Sequence, residues 1–221
     1  SIAANERAFA ALKFGGAVVT WGQPSAGGCS DQVAEQLRSG VKRIVASSEA
    51  FAALKDDGSV VTWGAPGGGG DSRSVALALT GSVVDVVATG SAFAALREDG
   101  SVVAWGGSDE GGCAGAAGAE LQGGVARLFS TEAAFAALKE DHSVVTWGAA
   151  WCGGEPGPAP SGAALTGPAA ELLREGVTEI LAAKRAFAAV KADGSHVLWG
   201  EGIEPMAVAK LQPMYAPVAA G

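Results

Sequence analysis

The sequence predicts a mainly β chain of five tandem units. Each is a strand, a hairpin, a loop and a short helix, and they stack as a small β-propeller-like ring or, alternatively, an open arc or solenoid. Three observations predict this. AFAALKFGGAVVTWG (8–22) returns as AFAALKDDGSVVTWG (50–64), AFAALREDGSVVAWG (92–106), AFAALKEDHSVVTWG (134–148) and AFAAVKADGSHVLWG (186–200). Phe9, Phe51, Phe93 and Phe135 step by 42 (51−9, 93−51, 135−93), then Phe187 by 52 (187−135), and Trp21, Trp63, Trp105, Trp147 and Trp199 keep those steps. Turn residues, Asp57-Gly58, Asp99-Gly100 and Asp193-Gly194, divide three of the five phrases into two β-rich runs. A fixed period of this size marks one supersecondary unit that buries its apolar face only by stacking on copies of itself.

The elements of a unit follow in order. In unit two the first strand is KRIVAS (42–47), with equivalents around Ile2, Val86, Leu128 and Ile180. A variable turn leads into AFAALK (50–55). Asp57-Gly58 supplies a tight turn, because Gly tolerates positive φ and Asp bonds its own backbone. SVVTWG (59–64) then returns antiparallel. Unit one turns on Gly15-Gly16, and unit four places His142 at the Gly position, where a positive φ would strain or re-route it. Phe51 and Ala53 point to one face, Ala52 and Leu54 to the other. Both faces are apolar, so both are expected to be covered, unlike an antiparallel sheet with one wet side. The repeat-locked Trp is expected to plug the gap to the next unit.

After Trp-Gly comes a Gly-rich loop, read as a turn because no Gly-Lys-Ser/Thr ending of a phosphate loop accompanies it. A short helix follows, SDQVAEQLRSGV (30–41) in unit one, with Ser30 or Asp31 as N-cap and Gly40 as stop. Its apolar face, Val33/Leu37, recurs as Val75/Leu79, Ala117/Leu121 and Ala169/Leu173. The repeat domain covers residues 1–200, with units at about 1–41, 42–83, 84–125, 126–177 and 178–200, and a non-repeat tail at 201–221.

The departures from the repeat are the candidate contact sites. Ten residues are added between units four and five (52−42), within AWCGGEPGPAPSGAALTGP (150–168), expected to be an irregular surface loop. It holds Trp151, the Trp outside the repeat column and a candidate interface anchor; folding back on the adjacent unit is its structural alternative. The turns before each AF read NER (5–7), SSE (47–49), TGS (89–91), TEA (131–133) and AKR (183–185), and are expected on one rim. If unit five closes against unit one, Arg7, Lys184 and Arg185 form a basic spot for an acidic partner; a solvated rim is the alternative. Tyr215, in the tail, is the fifth candidate partner-binding residue. The prolines of that tail oppose a helix over its whole length.

Composition narrows the function. The chain has 221 residues and a formal net charge of −8, which opposes a nucleic-acid backbone or an anionic membrane surface as main partner. No run approaches the 18 or so apolar residues that span a bilayer. The three cysteines, Cys29, Cys113 and Cys152, are too sparse for a disulfide framework. Cys29, Asp71, Cys113 and Glu155 share one repeat slot, and the two histidines, His142 and His196, fall in separate hairpins, so no metal site is predicted. No catalytic residue or cofactor site stands out. The chain opens at Ser1 inside a repeat, with Ile2 aligned to Ile44, and is expected to derive from a longer precursor or to be trimmed.

The strand, the AFAAL-x-x-DGSVVTWG hairpin and the Gly-rich loop, over about residues 1–200, resemble the regulator of chromosome condensation family of β-propeller repeats, HERC-type ligases included. The shortened 42-residue form resembles repeats common in algal protists. The family commonly has seven longer blades, and its usual Gly-x-x-His is absent here. No Gly-Trp-Arg-His-Thr run is present, so the photochemistry of the plant ultraviolet-B receptor does not carry over. The repeats and idiosyncratic loops predict a non-enzymatic protein-interaction module, a peripheral structural subunit of a larger assembly. The resemblance implies a soluble-side, thylakoid-associated subunit of a plastid photosynthetic complex, with the cytoplasm as the other location. The alternatives are a nucleotide-exchange regulator of a small GTPase and a propeller that binds a small ligand in its mouth.

Overall fold

The recurring hairpins fold as three-stranded antiparallel sheets, one per unit. The computed structural model describes residues 1–154 and 169–201. Unit two is built of strands Val41–Ala46, Ala50–Lys55 and Val60–Gly64, hydrogen-bonded in chain order. The middle strands of the other units are Ala8–Leu12, Ala92–Arg97, Ala134–Lys139 and Ala186–Lys191. No strand is shared between sheets, so the chain is a propeller-like succession of five tandem blades. No helix among the described residues is long and apolar enough to cross a membrane.

The hairpin turn is one residue longer than Asp57-Gly58 alone. Lys55 N–H donates to the Ser59 carbonyl at 2.9 Å and Gly58 N–H to the Lys55 carbonyl at 3.1 Å, with Gly58 at φ 75°. This is the three-residue hairpin loop with a left-handed glycine. Asp57 Oδ1 locks it by accepting from the Ser59 N–H at 3.0 Å and the Ser59 hydroxyl at 2.6 Å. His142 takes the left-handed conformation, at φ 66°, rather than re-routing the chain. Val177 N–H donates to its carbonyl and the His142 ring Nδ1 lies 3.0 Å from the Val177 carbonyl, which hold it there.

The two faces of each sheet do different jobs. Phe51, Ala53, Val61 and Trp63 pack back onto Ala8, Ala10, Ala26 and Leu37 of unit one. Ala50, Ala52 and Leu54, on the opposite face, receive Phe93, Ala95 and Trp105 of unit three. The alanine face thus leaves room for the bulky face of the next blade, and Phe51 is 0% exposed. Two expectations are corrected. The Trp column reaches back to the preceding unit, not forward. The covered-faces rule also does not hold at unit one, on whose bulky face no blade packs among the described residues: Phe9 is 42% and Trp21 43% exposed.

The predicted short helices are mostly 3-10 turns, Asp31–Val33, Arg73–Leu79 and Gly115–Ala119, with one α turn at Ala169–Leu172. Ser30 is at the N-cap position, but its hydroxyl accepts from Thr20 Oγ1 instead of capping. Segments this short and uncapped do not sustain an α-helix. What persists is the apolar anchor: Leu37, Leu79, Leu121 and Leu173 are all buried. A further 3-10 turn follows the Trp-Gly pair of units one to four, at Pro24–Ala26, Pro66–Gly68, Ser108–Glu110 and Ala150–Cys152, and each of the four ends in a left-handed glycine. Most of the inserted loop, residues 155–168, and the tail from 202 onward lie outside the described residues.

Candidate protein-interaction site

The variable turns share one rim, as expected, because backbone hydrogen bonds tie them in series. Glu6 N–H donates to the Ser48 carbonyl (3.4 Å), Ser48 to Gly90 (2.8 Å), Gly90 to Glu132 (2.7 Å) and Glu132 to Lys184 (2.8 Å). A hydroxyl at the start of the turn pins the 3-10 turn of the same unit beneath it. Ser47 Oγ donates to the Gly68 carbonyl at 2.7 Å, Thr89 Oγ1 to Glu110 at 3.1 Å and Thr131 Oγ1 to Cys152 at 3.0 Å. Asn5 does the same in unit one through Nδ2 and the Ala26 carbonyl.

At the junction of units four and five this framework gathers four of the charged and aromatic side chains. Trp151 lies on the Ala150–Cys152 turn, and the Arg185 guanidinium sits 5.1 Å from its ring centroid. Arg185 Nε is 3.3 Å from Glu132 Oε2, and Lys184 Nζ is 3.9 Å from Glu132 Oε1. Glu201 N–H donates to the carbonyls of both Trp151 (3.1 Å) and Arg185 (3.0 Å), binding the turn to the last strand. Trp151 remains 42% exposed. The arrangement presents a half-open indole face, two cations and a carboxylate. An exposed cation–π pair of this kind contributes about 0.5–1 kcal/mol.

The candidate cations of the rim each lie beside a carboxylate. Arg7 Nη1 lies 3.1 Å from Glu49 Oε1 of unit two, while Lys184 and Arg185 share Glu132 of unit four. Three cations thus meet two carboxylates, which offset part of their charge and leave one positive charge in excess. Sequence reasoning missed Glu49 and Glu132 as these partners, although both lie in the same variable turns as the cations. Tyr215 lies outside the described residues.

Other candidate groups carry less. Among the described residues no three His, Cys, Asp or Glu side chains gather as a metal site. Cys29 and Cys113 are exposed and Cys152 is buried; burial pushes the Cys152 thiol up from its ordinary value. A shallow hollow of about 610 Å³ is lined by Pro66, Asp71, Arg73, Ser74 and Gly106. Asp71 and Arg73 satisfy each other there, and the Arg73 hydrogen bonds hold the Asp71 carboxyl down at about 2.

No family model matches the sequence, and no curated protein matches it significantly. Solved structures do match in fold. Human WBSCR16 matches 92% of this chain over 62% of its own, with TM-score 0.58 and 20% identity. Prp20p of Saccharomyces cerevisiae, in a structure titled with its binding properties to Gsp1p and histones, matches 94% of this chain over 59% of its own, with TM-score 0.55 and 17% identity. Yeast RCC1 (Prp20) bound to Kap60 matches 90% over 55%, with TM-score 0.54 and 16% identity. The chain thus spans less than two thirds of the length of the structures it matches. At these identities the likeness is one of architecture: the chain has an RCC1-like β-propeller fold.

Proposed function

We propose that the chain is a non-enzymatic protein-interaction module that docks a partner through the rim at the junction of units four and five. One observation carries this reading. Trp151 occupies a slot that the other units fill with Ser25, Gly67 and Asp109, so the fold itself does not require an aromatic there. It is nevertheless a large, half-exposed indole held by a stacked guanidinium and a tied backbone. Rigid aromatic and arginine pairs of this sort are the usual anchors of protein interfaces.

The structural likeness is consistent with a partner-binding role, since the yeast structures are titled by their protein partners, Gsp1p, histones and Kap60. A nucleotide-exchange regulator of a small GTPase is the second reading, supported by the RCC1-like fold alone. The proposal leaves out a plastid setting, on which no contact in the structure bears. The test is native purification from the source with identification of co-purifying proteins, repeated with Trp151→Ala and Arg185→Ala. The reading expects a stoichiometric partner with the native chain, lost with either variant while the unfolding midpoint stays within about 0.5 kcal/mol of the native value. A partner retained by both variants refutes it.

A further inference from the structure

Four times in this chain the same small joint fastens one blade to the next. Gly27, at φ 92°, lies flat on the ring of Phe51, so close that a Cβ there would meet Phe51 Cδ2 at 2.7 Å. Its own carbonyl accepts from the Trp63 indole N–H at 3.0 Å. Gly69 does this to Phe93 and Trp105, Gly111 to Phe135 and Trp147, and Gly153 to Phe187 and Trp199, with indole bonds of 3.0, 3.1 and 3.0 Å. Each joint is therefore a Phe–Trp socket that admits a left-handed glycine and no larger residue.

Unit one carries the fifth socket fully built. Phe9 and Trp21 stack with centroids 5.4 Å apart and planes 11° apart, as tightly as the four filled pairs at 5.2–5.4 Å. Yet Phe9, Trp21 and Val19 are exposed, and among the described residues no glycine lies on the ring. The rim shows the same gap. Each turn N–H donates to the next unit's carbonyl, but no described backbone N–H outside the strands reaches the Glu6 carbonyl.

We propose that this face is a docking site for the glycine loop of a further repeat unit, one other than the five in residues 1–221. The occupant must present Trp-Gly, four residues, then a left-handed glycine whose carbonyl meets the Trp21 indole. An N–H 21 residues before that glycine then reaches the Glu6 carbonyl, the spacing that separates Glu6 from Gly27 and Ser48 from Gly69. Two nearer occupants fit less well. In this chain's own tail the position six after Trp199 is Pro205, whose φ is locked near −65° and cannot take the left-handed form. In a second copy, Gly27, Gly69, Gly111 and Gly153 are already engaged by their own neighbours.

The test extends the full chain by a copy of residues 1–42 placed ahead of Ser1, which keeps the period. Hydrogen exchange of the Trp21 indole N–H is followed by nuclear magnetic resonance. In the extended chain it is expected to slow about tenfold or more, towards the rate of Trp63. The same extension carrying Gly27→Ala in the added unit should leave it near the rate of the unextended chain. Three results overturn the proposal: no slowing in the extended chain, equal slowing with the Gly27→Ala extension, or a Trp21 indole already as protected as Trp63 in the unextended chain. Protection of the unextended chain that rises with protein concentration would assign the face to a second copy; protection independent of concentration would assign it to the tail. Should the extended chain fail to fold, an unlabelled peptide of residues 21–41 is titrated into the isotope-labelled native chain. A saturable shift of the Trp21 indole resonance, absent with the Gly27→Ala peptide, supports the proposal, and no difference between the two peptides overturns it.

Discussion

Trp63 donates its indole N–H to the carbonyl of Gly27, 36 residues earlier and one blade back, at 3.0 Å. The bond is buried, and the same glycine lies on the Phe51 ring that stacks on Trp63 at 5.3 Å. One contact thus joins aromatic stacking, a satisfied buried donor and a residue without a side chain.

Trp63→Ala is expected to destabilise the chain by about 3–5 kcal/mol, the cost of truncating a large buried aromatic. Trp21→Ala removes the same residue from a half-exposed position without the indole bond, and should cost about 1 kcal/mol. Urea denaturation of both variants measures the contrast. Equal losses would show that the inter-blade joint contributes nothing specific.

Gly69→Ala should cost about 2–4 kcal/mol, because a Cβ would lie 2.5 Å from Phe93 and φ is 90°. Gly67, two residues earlier, has nothing within 4 Å of a built Cβ, and Gly67→Ala should stay within about 0.5 kcal/mol. Thermal and chemical denaturation of the pair decide whether the socket is as tight as the distances say.

Acid should loosen the hairpins. The Asp57, Asp99, Asp141 and Asp193 carboxyls are held below their ordinary value, first by the hydroxyls of Ser59, Ser101, Ser143 and Ser195 and then by the backbone N–H of the same serines. A folded-state pKa below the unfolded one gives stability that is fully present above about pH 4 and is lost as pH falls through the depressed values. Replacing the four serines by alanine should lower stability most above about pH 4, with the two curves converging in stronger acid. Parallel curves would remove these turns from the acid response.

Thiol labelling should be selective. Cys29 and Cys113 are exposed and should react with a small disulfide reagent in the native chain, while Cys152 reacts only on unfolding. Burial both shields Cys152 and disfavours its thiolate, the reactive form. Fast release of three equivalents from the native protein would contradict the buried position.

The hairpins were legible because their determinants are local. Alternating side chains, an Asp-Gly turn and a strict period specify strand, turn and stacking without knowledge of the neighbours. The short helices were legible only as buried leucines, since a segment of three to seven residues has too few internal hydrogen bonds to declare its helix type. The surroundings of the rim cations were hidden for a related reason. Arg7, Lys184 and Arg185 were grouped by charge alone, whereas Glu49 and Glu132 lie beside them on the rim and offset part of that charge.

By itself, the order of residues determined that five near-identical β units must cover one another, because each carries two apolar faces and a period of 42 with one longer step. Only the tertiary structure decided the direction of that covering. The reach of each Trp back to an earlier glycine, the gathering of Trp151, Arg185 and Glu132, and the bare Phe9–Trp21 face all depend on which sheet face meets which neighbour. That choice is made by contacts between residues dozens of positions apart, and a periodic sequence reads alike in either direction of stacking.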